Sequence, residues 1–301
     1  MIDPILVSFK LFGTELSIHW YGVIIAISVM IGAYITERGI VRRGGSENFI
    51  WDLIIWVVPA GIVGARLGYV LNDIGGGGTY FLDDPSAIFR VWEGGLHIYG
   101  AVGLGVVVAW WYAKRRNFSF WMLLDSLAPA LLIAQAFGRI ANFINQELYG
   151  PPTTLPWGVK IAAENRIPPW TDLETFPVDT TRFHPTFFYE SIWNILAAIL
   201  ILWLVKKFAD KMKPGAAFYM WLLLEGVGRA WIEFFRPDQP TIPGTGLSYS
   251  RLVAILMALV GGLMLLVRFD KLKLGFIKPG PETYGKGKRD KKWKNKEKKS
   301  R

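Results

Sequence analysis

The sequence contains no cysteine and carries little charge. None of its 301 residues is cysteine, which excludes a disulfide framework, a thiolate metal site and a cysteine nucleophile within the chain. Only 19% of the residues are charged, whereas a soluble domain carries about a quarter. Hydrophobic residues make up 52%, and this composition indicates a membrane protein. A cleavable signal peptide is not predicted either, because the N-terminus has an early acidic residue and no basic flank before a long apolar core.

Long apolar runs are what the sequence has instead. A spanning helix needs about 20 mostly apolar residues, and such segments are predicted at Ile18–Thr36, Ile50–Asn72, Leu96–Ala113, Phe120–Phe143, Pro185–Val205, Gly215–Phe235 and Tyr249–Val267. The third contains GAVGLG, whose small residues permit close contact between helices. We therefore expect an all-α polytopic membrane protein with seven transmembrane helices.

The basic residues predict the orientation of these helices. They occupy alternate links and the C-terminal tail: Arg38, Arg42, Arg43, Lys114, Arg115, Arg116, Lys206, Lys207, Lys211 and Lys213, followed by YGKGKRDKKWKNKEKKSR. The link between the second and third helices is acidic instead. Because basic links face the cytoplasm, the N-terminus is expected outside and the C-terminus inside.

Two segments outside the spans need separate explanations. Residues 145–184 are too polar to span and rich in proline, so we expect a small external head or lid with short strands or helices; the alternative is a disordered connector. The basic tail, residues 271–301, could contact anionic lipid headgroups. A disordered tail that reinforces topology is the favoured interpretation. Nucleic-acid binding is not expected, because no basic patch is interleaved with stacking aromatics on a folded domain.

Polar residues inside the predicted spans converge on the outer leaflet. A charge near the bilayer centre costs about 2.5–3.5 kcal/mol, so these groups must pair or face water. They are His19, Arg66, His97, Arg139, Asn142, His184, Tyr189, Glu190, Glu225, Arg229, Glu233 and Arg251. One alternative is a set of buried ion pairs that only hold helices together, and the pair at i, i+4 formed by Arg229 and Glu233 is the one most easily explained in that way.

Several arginines at headgroup depth suit a phosphate. A planar guanidinium donates forked hydrogen bonds to phosphate oxygens, and Asn142 and Asn145 could hold hydroxyls or carbonyls without adding charge. With a lateral opening to lipid, the ligand would be a phospholipid. Arginine could then stabilise the phosphate as a leaving group. This chemistry predicts an outer-leaflet phospholipid site that includes Arg66 and Arg139, without naming a reaction.

The stretch FGRIANFINQELYG, residues 137–150, closely resembles the signature of the bacterial prolipoprotein diacylglyceryl transferases, Gly-Arg-x-Gly/Ala-Asn-Phe-x-Asn-x-Glu followed by a nearby glycine. Further similar stretches occur in order along most of the chain: IHWYG, GARLGYVL, VWEGGLHIYG, HPTFFYE and GRAWIEFFRPD. The resemblance does not cover the basic tail or the details of the external segment.

The resemblance implies an activity in the bacterial inner membrane. The diacylglyceryl group of phosphatidylglycerol would move to the lipobox cysteine of a prolipoprotein signal peptide, forming a thioether and releasing glycerol phosphate. Residues 1–270 would form the catalytic domain, with the site toward the outer leaflet. The nucleophile belongs to the substrate, which agrees with the absence of cysteine. No cofactor and no metal are expected.

The resemblance also implies roles for individual residues. Arg139 would bind the lipid phosphate, and Arg229 would assist with the phosphate or the leaving group. Asn142 and Glu147 would shape the headgroup site, and Glu233 would orient Arg229. The remaining predicted substrate contacts are the matching positions Asn145, Gly150 and Tyr21.

Two departures from the family pattern leave the proton acceptor open. Family members commonly read Trp-Asp-Gly-Gly-x-x-x-His-Gly-Gly, and that histidine is a candidate base. Here Tyr99 stands at its position, with His97 two residues earlier. The base is therefore His97, Tyr99 or neither. Family members also often have a tyrosine four residues before the arginine of the sixth predicted helix, where this chain has Glu225.

Two other functional classes fit the sequence less well than a transferase does. A lipid or solute transporter would place its charges at the midplane and would often show an internal repeat. Here the polar groups gather on one side and no repeat is visible. A structural scaffold would not need arginines placed to bind phosphate.

Overall fold

The computed structural model describes residues 3–11, 14–236 and 239–273. The chain forms two compact units. Among the described residues, those up to Ile35 and from Leu124 onward form the first unit and Thr36–Leu123 form the second, so the boundaries fall within two helices. From residue 274 onward, the predicted basic tail lies outside the described residues.

Helices dominate the described chain. They are α1 Trp20–Arg42, α2 Phe49–Gly75, α3 Tyr80–Asp83, α4 Ile98–Arg115, α5 Phe120–Ile144, α6 Thr186–Lys207, α7 Ala216–Ile232 and α8 Tyr249–Arg268. All the predicted apolar segments are helical, with ends that differ by a few residues. Five helices, α1, α2, α5, α6 and α8, are long and apolar enough to cross a membrane. The shorter α4 and α7 have 18 and 17 residues.

A β-hairpin precedes α1 and corrects the all-α prediction. Strand β1, Ile5–Leu11, pairs antiparallel with β2, Thr14–His19, and the hydroxyls of Ser8 and Ser17 lie 2.8 Å apart across the pair. The first helix consequently begins at Trp20 instead of at the predicted Ile18. The alternation V-S-F-K-L in β1 is typical of a strand. A run this short is difficult to predict as a separate strand when a long apolar segment follows it.

In the first unit, helices α5 and α7 run in the same direction. Asp125, near the start of α5, is buried and accepts hydrogen bonds from the backbone N–H groups of Gly215 (2.6 Å) and Phe218 (2.8 Å) at the start of α7. A carboxylate there satisfies helix N–H groups that have no partner within the helix. The start of α7 therefore lies level with Asp125, and the hydrogen bond between Gln135 and Glu225, further along both helices, shows that the two run in the same direction.

In the second unit, α2 and α4 cross at glycines. A Cβ added to Gly100 would lie 2.1 Å from the carbonyl oxygen of Gly64, so neither position accepts a side chain without separating the helices. Within GAVGLG, Gly100 makes this close contact, whereas a Cβ added to Gly103 would meet nothing within 4 Å.

Residues 145–184 form a packed segment and not a disordered connector. Its core contains the buried rings of Tyr149, Trp170 and Phe183. The guanidinium of buried Arg166 lies 5.1 Å from the Phe183 ring centre and donates to the carbonyl of Ile161 at 3.1 Å. Regular structure is limited to a 3-10 turn, Ala163–Asn165, and isolated β-bridges.

Candidate functional site

Two arginines from different helices meet at one glutamate in the first unit. Arg139 of α5 pairs with one carboxylate oxygen of Glu190 on α6, and Arg229 of α7 lies 3.7 Å from the other oxygen. The second guanidinium nitrogen of Arg229 lies 3.2 Å from Glu233. We call Arg139, Glu190, Arg229 and Glu233 the arginine layer.

The carboxylate of Glu233 is held on two sides. It is buried just beyond the end of α7, and the hydroxyl of Ser248 donates to it at 3.0 Å. Ser248 also caps α8, because its oxygen accepts from the backbone N–H of Arg251 at 3.0 Å. Arg229 is therefore paired with a carboxylate whose position is set by the packing of α7 against α8.

The arginines of this layer retain donor capacity. Arg139 has two hydrogen bonds within the described part of the chain, to Glu190 and to Asn142, although a guanidinium has five N–H donors. Arg229 lies within ion-pair distance of two carboxylates, but its 3.7 Å approach to Glu190 is too long for a hydrogen bond. An anion with several acceptor oxygens could therefore gain hydrogen bonds from both arginines.

A polar relay extends the layer beyond the end of α5. Arg139 donates to the side-chain oxygen of Asn142 at 3.0 Å, and the amide nitrogen of Asn142 donates to Glu147 at 2.7 Å. The chain turns sharply after α5, with positive φ at Gln146 (54°) and Leu148 (59°). This turn brings Glu147 back over the last turn of the helix, where its backbone N–H donates to the carbonyl of Asn142 at 3.0 Å.

Gly150 allows a close contact between the motif and the start of α6. Its N–H donates to the carbonyl of His184 at 2.9 Å, and an added Cβ would lie 2.9 Å from Thr186 and 3.0 Å from the Cβ of His184. The absence of a side chain at Gly150 therefore permits this packing, and its contact with substrate stays a prediction. The neighbouring Asn145 directly follows α5, and Tyr21 lies partly exposed near the start of α1.

A hydrogen-bonded chain of aromatic side chains lies beside this contact. The indole N–H of Trp157 donates to the hydroxyl of Tyr189 at 2.8 Å, and that hydroxyl lies 3.1 Å from Nδ1 of His184. Burial lowers the pKa of His184 from its ordinary value, because the charged imidazolium loses hydration. His184 is thus favoured in its neutral form.

Arg66, in the second unit, has a different environment. It is buried, and its five N–H groups donate at 2.5–3.2 Å to carbonyl oxygens of one loop, those of Ala87, Ile88, Arg90, Gly94 and Gly95. The loop also contains Asp84, whose pKa is lowered to about 2 by hydrogen bonds from Ser86 and Arg90. All the donors of Arg66 are therefore used by the fold.

The two candidate bases lie directly after this loop. The backbone N–H of His97 donates to the carbonyl of Ala65 at 2.9 Å, immediately before α4. The His97 ring lies 5.4 Å from the ring of Tyr99, whose side chain is 73% exposed. Arg66, His97 and Tyr99 thus share the second unit, while Arg139, Asn142, Glu147, Arg229 and Glu233 form a continuous set of contacts in the first.

Sequence reasoning assigned no binding or catalytic role to Glu190, which links the two arginines. The position of Glu190 in the sequence indicates that it needs a partner, because an acidic residue one turn into an apolar helix is costly unless paired. Nothing in the sequence indicated which helix would supply the partner.

The matched family covers nearly the whole described chain. A family profile described as prolipoprotein diacylglyceryl transferase matches residues 6–267. Three similar proteins are each named phosphatidylglycerol–prolipoprotein diacylglyceryl transferase. The protein from Chloroflexus aggregans is 35% identical over 87% of this chain and 89% of its own length. The protein from Bifidobacterium longum subsp. infantis is 36% identical over 90% and 85%, and the one from Halalkalibacterium halodurans is 38% identical over 88% and 86%.

Proposed function

The chain belongs to the prolipoprotein diacylglyceryl transferase family, and we propose that it uses the arginine layer to bind the phosphate of phosphatidylglycerol. As a transferase of this family, it moves the diacylglyceryl group to the lipobox cysteine of a prolipoprotein. A thioether forms, and glycerol phosphate leaves. The observation that carries the site assignment is that two arginines with remaining donor capacity meet at Glu190.

Charge supports this assignment of the phosphate. A lipid phosphodiester carries one negative charge and offers several acceptor oxygens, and the guanidinium groups of Arg139 and Arg229 can each donate in a forked geometry. During transfer, negative charge grows on the departing phosphate oxygen. Donors already in position stabilise that charge without reorganising. Arg139 holds the phosphate in the ground state, and Arg229, oriented by Glu233, acts on the leaving group.

The headgroup glycerol is the substrate portion that suits the relay. Asn142 and Glu147 offer one amide and one carboxylate in a fixed hydrogen-bonded arrangement, and Asn145 adds a second amide nearby in the chain. Neutral hydroxyls can exchange hydrogen bonds with such groups. Tyr21 completes the proposed set of lipid contacts, whereas Gly150 acts by allowing the motif to pack on His184.

Arg66 is better explained as a positioning residue than as a phosphate ligand. All its donors contact the backbone of residues 87–95. Binding a phosphate there would leave buried carbonyl groups without partners, at a cost of about 1–3 kcal/mol for each group lost. Arg66 instead shapes the loop that precedes His97 and Tyr99, which remain candidates for contact with the substrate thiol.

The proposed topology has seven spans, the N-terminus outside and the active site toward the outer leaflet of the bacterial inner membrane. Basic side chains at two helix ends support it. Lys114 and Arg115 contact the rings of Trp110 and Trp111 at the end of α4, and Lys207 lies 4.4 Å from the ring centre of Trp203 at the end of α6. Tryptophan with lysine or arginine is typical of the membrane interface.

In this topology, residues 1–270 form the catalytic domain, and residues 145–184 within it form the external head. The tail from residue 271 is a cytoplasmic extension that could contact anionic lipids.

A transfer assay tests the proposed function. Purified protein in lipid nanodiscs receives phosphatidylglycerol labelled in its acyl chains and a lipobox peptide. Label is expected to move to the cysteine peptide but not to a peptide with serine at that position, because a hydroxyl is far less ionised and less nucleophilic. Equal labelling of both peptides, or none under conditions in which a relative is active, would contradict the proposal.

A further inference from the structure

A second polar pair lies one helical turn from the arginine layer. Gln135 precedes Arg139 by four residues on α5, and Glu225 precedes Arg229 by four residues on α7. The amide nitrogen of Gln135 donates to a carboxylate oxygen of Glu225 at 3.3 Å. Because one turn rises about 5.4 Å and the two helices run in the same direction, this pair forms its own level, nearer the starts of both helices.

Glu225 differs from Glu190 and Glu233 because, within the described residues, no arginine lies within ion-pair distance of its carboxylate. Glu190 and Glu233 pair with the arginines, and Glu147 accepts from Asn142. Within the described ranges, Glu225 forms no ion pair, and its one hydrogen bond is to Gln135, whose own amide oxygen is buried without a partner. A partly buried carboxylate with so few partners is costly to keep, and such groups concentrate at functional sites.

The geometry of the reaction places the substrate thiol near Gln135 and Glu225. With the phosphate in the arginine layer, the glyceryl carbon attached to it lies on the side from which the acyl chains descend. In the proposed topology, this is the side of Gln135 and Glu225. Displacement in line with the breaking C–O bond requires the sulfur to approach opposite the phosphate oxygen. The thiol therefore approaches from the level of Glu225.

We propose that Glu225 is the catalytic proton acceptor for the substrate cysteine, an inference that rests on the proposed function. The thiol proton moves to the carboxylate of Glu225, and the sulfur forms a bond to the glyceryl carbon. The bond from that carbon to the phosphate oxygen breaks, and its electron pair leaves with glycerol phosphate. Glu225 then releases its proton to water before the next turnover. A base is useful because a free thiol has a pKa of about 8.5.

The surroundings of Glu225 suit a carboxylate that gains and loses a proton. The charged groups in electrostatic contact with it are Arg139 of α5, Glu190 of α6 and Arg229 of α7. On the α8 side, Gly226 packs against the backbone around Ala254 and Ala258. Protonating Glu190 instead would remove the shared partner of both arginines. Glu225 can accept a proton without breaking an ion pair of the arginine layer.

The test is a pH profile of Glu225→Gln, a variant of the same shape that cannot accept the proton. The full-length enzyme in nanodiscs is expected to lose about 100-fold in kcat at pH 6.5, while the KM for phosphatidylglycerol changes less than about twofold. The defect should shrink toward pH 9, where the thiol ionises without help. Glu233→Gln is the matched control, because losing a positioning carboxylate lowers activity by a similar factor at both pH values.

A selenocysteine lipobox peptide gives a second readout. Its selenol ionises at lower pH than a thiol, so it needs no base and should restore most of the rate of Glu225→Gln at pH 6.5. If that variant does not fold, Glu225→Asp is used, and its rate ratio between the selenol and thiol peptides should exceed that of the unmodified enzyme. A rate equal to that of the unmodified enzyme, or a defect independent of pH and of the nucleophile, would overturn the proposal. Failure of the unmodified enzyme to transfer at all would instead refute the proposed function.

Discussion

Arg66 and Arg139 are both costly charges in apolar helices, but their surroundings differ completely. Arg66 directs its five N–H groups to backbone carbonyls of one loop. Among the described residues, Arg139 donates two hydrogen bonds, both to side chains, and shares Glu190 with Arg229. Carbonyl groups of a folded loop cannot leave when a ligand arrives, whereas a carboxylate side chain can move to another rotamer.

This difference separates an arginine that holds the fold from one that is available to a substrate. Backbone partners make the contact of Arg66 part of the folding of the second unit. Side-chain partners orient Arg139 and Arg229 and leave N–H donors that can bind an anion. Position in a helix and residue type alone do not distinguish these cases, because all three arginines lie toward the same predicted leaflet.

The largest expected effect is on catalysis in the first unit. Arg139→Ala should lower transfer about 100- to 1,000-fold, comparable to losing a donor to developing negative charge. Its effect on thermal unfolding should be smaller than that of Arg66→Ala, because Glu190 keeps Arg229 as an ion-pair partner. Arg139→Lys keeps the charge but loses the forked geometry, and should recover part of the rate. Transfer to a lipobox peptide measures both, and unchanged activity in Arg139→Ala would refute the phosphate role.

Arg66→Ala should reverse this pattern. Removing the guanidinium leaves buried carbonyl groups without partners, so we expect the free energy of unfolding to fall by about 2–3 kcal/mol. Hydrogen exchange should rise first in residues 87–95. Arg66→Lys can satisfy at most three of the five carbonyls and should be intermediate. A variant with normal stability and protection but no lipid binding would show that Arg66 is a ligand after all.

A smaller effect on transfer is expected when Ser248, which holds the Glu233 partner of Arg229, is changed. Ser248→Ala removes one hydrogen bond to Glu233 and the cap of α8, and should cost about 1 kcal/mol of stability. Transfer should fall by no more than about tenfold, since Glu233 still pairs with Arg229. A loss as large as that of Arg139→Ala would mean that the position of Glu233 matters more than the charge of the arginines.

The smallest expected effect is the pH dependence at His184. Its pKa is lowered in the folded protein, so the unfolded chain binds more protons near the ordinary histidine pKa of about 6.5. The stabilisation is therefore present above that pH and is lost as the pH falls toward the lowered value. Between pH 7 and pH 5, the thermal unfolding temperature should fall slightly less in His184→Gln than in the unmodified protein. If the unfolding temperature falls equally in both proteins, groups other than His184 cause the loss of stability in acid.

The sequence predicted the parts of this comparison that depend on local pattern. Long apolar runs located the helices, and the spacing of Arg229 and Glu233 indicated their pairing. The loop around Arg66 was not predictable, because its carbonyls come from residues spread over 87–95 and its last two, Gly94 (φ 87°) and Gly95 (φ 72°), adopt positive φ. The role of Glu190 depends on three helices meeting, and the short strands of the hairpin gave too little signal beside an apolar helix.

Equilibrium binding of an unreactive phosphatidylglycerol analogue, with the scissile C–O bond replaced by C–C, tests the central claim most directly. Saturable binding is measured for the unmodified protein, Arg139→Ala and Arg229→Ala in nanodiscs of neutral lipid. If the two arginines hold the phosphate, each variant should bind at least about tenfold more weakly, a loss of about 1.4 kcal/mol. Unchanged affinity in both variants would contradict the assignment of the arginine layer as the phosphate site.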